Sequence, residues 1–366
     1  MYILRRISLS RLLLLCGLVI AIGVSATAIA SALDAGPVPE AKSLPNALHD
    51  ALAGPAVQGV SANIQFTNRL LEGANLVSGG GEASQLDQSP LLSGASGRLW
   101  IAKDGRVRLE LQSEKGDTQI IYDGKTLTAY DASTNTLYRY SSPQQSPAAP
   151  GDSAGAHEAP SVAKIEEAIS HLSTHANVSG ATPTDVAGRP AYTVRISPKQ
   201  GGSLVGGAEL SFDAEYGVPL RAAIYSSSTP APVIELATTE ISYGPVEDSV
   251  FEFTPPSNAK VQEIGHRSGG SSASGSQTGS AGAAGRPRLT THGHGVTAIA
   301  VLESEAHSGA GSGLAEELPN VKIGSATASE LSTALGTVLS FEQGGVRYVV
   351  AGALPASSIE EFARGL

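Results

Sequence analysis

From Val60 onward apolar residues return at every second position, and that period of two restricts this chain more than any other feature. Val60, Ala62, Ile64 and Phe66 fall on one side, Ser61, Asn63, Gln65 and Thr67 on the other. Successive side chains of an extended strand point to opposite faces, so such a segment reads as a half-buried strand. Leu99 and Ile101 repeat the pattern, and Val107, Leu109 and Leu111 alternate with Arg106, Arg108 and Glu110. It returns in Tyr192, Val194 and Ile196, in Ala208, Leu210 and Phe212, in Leu220, Ala222 and Ile224, and in the longer Val233–Tyr243. Lys103-Asp104-Gly105, Asp123-Gly124 and Asp131–Asn135 punctuate the runs as hairpin turns. Short strands joined by tight turns make an antiparallel meander, not βαβ units. Phe251-Glu252-Phe253 then runs into Pro255-Pro256, which is expected to stop the sheet.

Two helices interrupt the strands. Leu44, Leu48 and Leu52 recur every fourth residue, with Pro45 at an early helical position. Ser161 is expected to cap a second helix, with Val162, Ile165, Ile169, Leu172 and Ala176 as its apolar stripe. Residues 33–43 read as a linker, and 73–95 and 141–160 as loops. Residues 265–290 read as a second linker: Gly265–Pro287 is almost only Gly, Ser and Ala and has nothing to bury. That sets a β domain at 44–264 apart from a small α+β domain at 291–366. In the small domain Val296–Leu302 is a strand candidate. Thr327 with Glu330 forms a capping box expected to open a helix through Leu331, Ala334 and Leu335, stopped by Gly336. Thr337–Phe341 and Val346–Gly352 make a hairpin around Gly344-Gly345. Ser358 with Glu361 is a second capping box, whose helix sets Ile359, Phe362, Ala363 and Leu366 on one face.

The N-terminus reads as a targeting segment. Arg5, Arg6 and Arg11 precede an apolar run, Leu12–Ile22, and Ala30-Ser31-Ala32 follows. Residues 1–32 therefore form either a secretory signal cleaved before Leu33 or an uncleaved membrane anchor. The basic flank keeps the N-terminus inside in both cases, so the rest of the chain is expected outside the cytoplasm. Leu15 stands where a lipobox needs a small residue, so lipidation of Cys16 is not expected. Cys16 is also the only cysteine, which excludes a disulfide framework and a thiolate metal site.

Composition and motifs point away from catalysis. The net charge of −10 leaves no basic footprint for nucleic acid. His171 and His175 share the i, i+4 spacing of a metal helix, but Leu172 occupies the place of the zincin glutamate. His292-Gly293-His294 adjoins the flexible linker and has only Thr and Gly around it. Gly124-Lys125-Thr126 imitates the end of a phosphate loop, yet Gln119 replaces its first glycine and the segment is a hairpin turn. Gly309–Gly313 follows no strand of a βαβ unit, and Gly202–Gly206 has the wrong spacing for a nucleophile elbow. No cofactor, metal site or enzyme activity is expected.

Several strand motifs carry a family resemblance. Gly97-Arg98-Leu99-Trp100, Gly105–Leu109, Thr118–Leu127 and Ala129-Tyr130-Asp131 resemble the lipoprotein carrier family LolA, where a similar succession ends in a strand reading Tyr-Asp. Gly188–Val194 looks like a later strand of that family, and Phe251–Pro256 like its closing segment. The same fold occurs in the sigma-factor regulator family RseB, which also carries a small C-terminal domain that Val346–Pro355 resembles. The resemblance covers roughly residues 45–262. It implies a mainly β fold: a half-open antiparallel β-barrel with covering helices, plus the small α+β domain. It further implies a partner held on the apolar inner face, either lipid acyl chains or a lipoprotein, or else a membrane anti-sigma factor as in RseB. From their alternation, Val60, Ile64, Phe66, Leu99, Leu109 and Leu111 are the candidate ligand-facing residues. The same alternation also suits a closed core.

Overall fold

The computed structural model describes residues 36–72, 74, 92, 94–114, 116–141, 159–263, 288–305 and 318–366. The targeting segment with Cys16, most of the 73–95 and 141–160 loops, and Gly265–Pro287 lie outside the described residues.

Residues 36–43 lead into helix α1, Leu44–Ala53. Ser43 holds an extended backbone there and its Oγ accepts from the Asn46 N–H at 3.5 Å, a cap that satisfies one orphan donor of the first turn. Six strands follow: β1 (Gly59–Asn68), β2 (Ala95–Ala102), β3 (Val107–Ser113), β4 (Gly116–Tyr122), β5 (Thr126–Asp131) and β6 (Thr136–Ser141). Helix α2 is Val162–Leu172, with Ser161 Oγ accepting from Lys164 N–H at 3.4 Å as its cap. Then come β7 (Ala176–Val178), β8 (Thr182–Val186), β9 (Arg189–Pro198), β10 (Val205–Asp213), β11 (Pro219–Ser226), β12 (Pro232–Tyr243) and β13 (Lys260–Glu263).

These strands make one 13-stranded sheet in the order β13-β6-β5-β4-β3-β2-β1-β12-β11-β10-β9-β7, with β8 also on β9. The β1–β12 pairing joins two meanders into a single surface. The sheet stays open, ending at β13 on one side and at β7 and β8 on the other, so the fold is a half-open barrel. Every pairing is antiparallel except β13 on β6. That strand corrects one expectation. Pro255-Pro256 does not end the sheet, because the chain turns and Lys260 N–H donates to Asn135 O at 2.9 Å, leading β13 in alongside β6.

The second sheet holds β14 (Arg288–His292), β15 (Ile299–Glu305), β16 (Asn320–Ile323), β17 (Ala326–Ser332), β18 (Thr337–Gln343) and β19 (Val346–Gly352). Its order is β14-β15-β19-β18-β17-β16, and α3 (Ala356–Ala363) packs on it through Ile359 and Ala363. The expected helix at Thr327–Leu335 is instead strand β17. Ala326 and Ala328 are buried at alternate positions between β16 and β18, and this tertiary pairing overrides the local capping signal. Nor does Ser358 cap α3, which begins two residues earlier behind Pro355 without a side-chain cap. A 3-10 turn at Gly295–Thr297 takes the start of the expected Val296–Leu302 strand. In the first domain α2 stops at Leu172, so Ala176 opens β7 and His175 falls outside the helix.

The two sheets touch. Leu204 N–H and Ser203 Oγ donate to Ala353 O at 2.8 and 3.0 Å, Gln200 Nε2 donates to Thr297 Oγ1 at 2.8 Å, and Ala334 N–H donates to Leu70 O at 3.2 Å.

Candidate functional site

Residues paired across antiparallel strands project to the same face, so the register defines the inner surface row by row. One row runs Val194, Leu210, Ala222, Leu236, Phe66, Ala95 from β9 to β2. A second runs Ala62, Leu99, Leu109, Ile120, Ala129, Tyr138 from β1 to β6. Both rows pass through β1 on the same side, so the apolar face is continuous from β9 to β6.

Among the described residues the helices cover only one end of it. Leu44, Leu48 and Ile165 pack with Tyr192, Val194, Ile196, Ala208 and Phe212 in one cluster over β9 and β10. Beyond that the cover thins, and Leu236, Tyr122 and Leu127 are 37%, 38% and 42% exposed.

All six sequence-predicted residues lie on this inner face, and they divide by burial. Val60, Ile64 and Leu111 are buried in a cluster with Ala62, Ile101 and Val218. Phe66, Leu99 and Leu109 are half-buried against that cluster. Phe66 also lines a cavity of about 630 Å³ with Gln65, Thr67, Ala95, Ser96 and Gln112. Ile120, Tyr122, Leu127 and Leu236 belong to the same face but were not singled out. Their alternation is visible in the sequence; only the pairing register tells which side of it faces inward.

Polar chemistry is gathered on the outer face. Across β9–β12, Glu209 accepts from Arg195 and Arg221 at 2.8 Å each and from the Tyr225 hydroxyl at 2.6 Å, and Arg221 also reaches Glu235 at 2.6 Å. Burial pushes Glu209 up, but the Tyr225 hydroxyl and the two guanidinium groups outweigh it and hold the carboxyl below its usual range. Burial and the neighbouring Glu209 raise the Tyr225 phenol. Across β3–β6 the segment after β12 folds back: Arg108 Nη1 donates to Val250 O at 2.8 Å, the Arg106 guanidinium lies 4.7 Å from the centre of the Phe251 ring, and Phe253 meets Tyr130 at 5.6 Å.

A buried carboxylate locks the hairpin between β10 and β11. Asp213 accepts from Arg189 Nε and the Tyr243 hydroxyl at 2.8 Å each, and from the N–H groups of Glu215 and Tyr216 at 2.8 and 3.0 Å. Gly217, at φ +64°, completes the turn so close to Ala51 O that a Cβ there would collide with it. This turn packs Tyr216 and Val218 against the inner cluster of β1–β3.

Among the described residues no group of three or more His, Cys, Asp or Glu side chains is arranged to hold a metal ion. Among them, too, no helix is long and apolar enough to cross a membrane. The inner face that the apolar rows build is a half-open sheet surface covered by helices at one end.

Comparison with known proteins adds the following. Residues 77–149 match the family described as predicted periplasmic protein (DUF2092). Comparison with curated proteins returns no match. Among solved structures, the chain is similar to MucB in the complex structure of Pseudomonas aeruginosa MucA/MucB, at 16% identity and a TM-score of 0.44, covering 87% of this chain and 95% of that one. It is similar to a LolA superfamily protein from Nitrosomonas europaea at 8% identity and a TM-score of 0.22, over 58% of this chain and 99% of that one. It is also similar to a putative outer membrane lipoprotein-sorting protein domain from Vibrio parahaemolyticus, at 10% identity and a TM-score of 0.24, over 57% and 96%. One of these matches carries the name of the LolA superfamily, which the strand motifs also resemble.

Proposed function

We propose that this protein is a non-catalytic, extracytoplasmic binding protein that holds acyl chains, of a lipid or a lipoprotein, on the inner face of its half-open sheet. The observation that carries the reading is the apolar inner face, exposed among the described residues at two places, Leu236 beside Phe66 and the Tyr122–Leu127 pair, with Leu99 and Leu109 half-buried between them. Ligand sites are concave and largely apolar, and soluble proteins seldom leave large apolar patches without a partner. The Arg5–Ile22 segment and the description of the matching family support the location.

A second reading is an envelope sensor that holds a membrane regulatory protein. It is favoured by the hydrogen bonds that dock the C-terminal sheet onto the first, through Ala353 and Ala334. One experiment separates the two. The full chain is purified from its native envelope and extracted for mass spectrometry of lipids, and its captured proteins are identified. Copurified acyl lipid or lipoprotein supports the carrier. No lipid, together with a membrane protein captured only while residues 288–366 are present, supports the sensor. A reporter fused after Leu366 that is active in the cytoplasm would refute both.

A further inference from the structure

Two histidine patterns that the proposed function leaves idle meet in three dimensions. His175 lies between α2 and β7 in the first domain. His294 lies in the second, held between Gly293 and Gly295, both at positive φ. Both line one cavity of about 400 Å³ at the junction of the two sheets, together with Lys199 from the end of β9. Leu172, Pro198 and Val296 supply apolar wall. The Gln200–Thr297 hydrogen bond, 2.8 Å, ties the two domains beside it. Lys199 N–H donates to His175 O at 3.2 Å, which fixes the backbone of those two residues relative to each other.

The chain has 34 Asp and Glu against 24 Lys and Arg, whereas the lining of this cavity holds one ammonium, Lys199, two imidazoles, His175 and His294, and no carboxylate. Lys199 Nζ donates to Ser173 O, and an ammonium has two further donors for a ligand. The volume lies in the range of ordinary ligand pockets, about 300–1,000 Å³.

We propose that this junction binds a single-chain amphiphilic anion. Its carboxylate is held by charge-assisted hydrogen bonds from Lys199 and by the imidazoles of His175 and His294; its short tail lies along Leu172, Pro198 and Val296. Because the walls come from both domains, the bound ligand also holds them together. Two of its lining residues, Leu172 and Ala176, also pack with the cluster over β9 and β10.

Hydrogen exchange of the full chain, read by mass spectrometry, tests it with octanoate against octanol of the same chain length. Octanoate is expected to slow exchange fivefold or more in both 172–176 and 294–298, and octanol less than twofold. His294→Ala, on an exposed turn, and Lys199→Met are each expected to weaken octanoate binding about tenfold. If Lys199→Met disturbs the end of α2, His294→Ala carries the test, with an unchanged melting curve as its control. Equal protection by octanol, protection confined to the inner-face strands, or unaltered octanoate binding by His294→Ala overturns the proposal.

Discussion

Glutamate substitution at two inner-face positions separates a ligand surface from a closed core. Leu236 is 37% exposed on β12, and Ile64 is 2% exposed on β1. In Leu236→Glu the new carboxylate can reach water, so the fold is expected to lose no more than about 1 kcal/mol, as at other partly exposed positions. In Ile64→Glu an unpaired carboxylate is forced into the cluster with Val60, Leu111 and Val218, at a cost of several kcal/mol beyond the lost apolar burial. Set against a total stability of about 5–15 kcal/mol, that is expected to unfold the domain.

The ligand responds in the opposite order. Burying about eight methylenes contributes roughly 6 kcal/mol before the costs of association. A hydrated carboxylate at position 236 denies burial to about three of them, roughly 2.4 kcal/mol at about 0.8 kcal/mol each. At 1.4 kcal/mol per factor of ten, acyl affinity falls roughly fiftyfold. A fluorescent fatty acid titrated into wild-type and Leu236→Glu protein, with melting curves of both, reads the two effects separately. Unchanged affinity in a normally folded Leu236→Glu protein, or its collapse like Ile64→Glu, would refute the open-face reasoning.

Two further outcomes concern stability. Asp213→Ala removes the acceptor shared by Arg189, Tyr243 and two backbone N–H groups, and breaking such a buried pair costs about 3–5 kcal/mol. At about 2–4 °C per kcal/mol for a domain of this size, the melting temperature of the first domain should fall by roughly 6–20 °C; a shift under about 2 °C rejects the lock. In the second domain, burial and the adjacent Glu360 raise the Glu330 carboxyl above its ordinary range, while Glu330 Oε2 is buried without a hydrogen-bond partner. Ser332 donates to the other oxygen, and Arg364 is engaged with Glu360 at 2.6 Å. A carboxyl whose folded pKa is raised stabilises the fold below its unfolded pKa and loses that contribution as pH rises through the folded value. The second domain should therefore melt progressively lower as pH rises from the acid range towards neutral, and Glu330→Gln should flatten the trend. An equal slope in both proteins would exclude Glu330 as its source.

The first domain was largely legible because its signals are local. Alternation in β1, β3, β9 and β10, with Asp-Gly turns between strands, needs nothing from distant chain. Ser161 marked the start of α2 by the same kind of short-range chemistry. What failed depended on partners far away in sequence. Thr327–Glu330 satisfies a capping pattern, but β16 and β18 claim those residues for a sheet. Lys260–Glu263 has no apolar alternation, with all four residues exposed, and becomes a strand only because β6 offers an edge. The six candidate residues share one face of the sheet, as their alternation implies, but alternation cannot separate the buried Val60, Ile64 and Leu111 from the half-buried Phe66, Leu99 and Leu109. That depends on where the distant β10–β11 turn lays Tyr216 and Val218 onto the face.

An open sheet of 13 strands has to protect what a closed barrel would hide. At one edge lies β13, four exposed residues carrying Lys260, Gln262 and Glu263, with Glu263 bonded to Arg139 at 3.1 Å. At the other edge β7 and β8 share β9, neither longer than five residues, and Pro183 removes a donor from β8. Short, charged and proline-bearing edges discourage another chain from adding a strand. The outer face carries the Arg195–Glu209–Arg221–Glu235 ladder over one half and the Val250–Phe253 segment over the other. Among the described residues of this sheet, large apolar side chains still face water at Tyr122, Leu127 and Leu236 on the inner face and at Val261 on the edge strand. A protein that needed only to be stable could have extended a helix over that inner face. On the function proposed above, an acyl ligand supplies that missing cover.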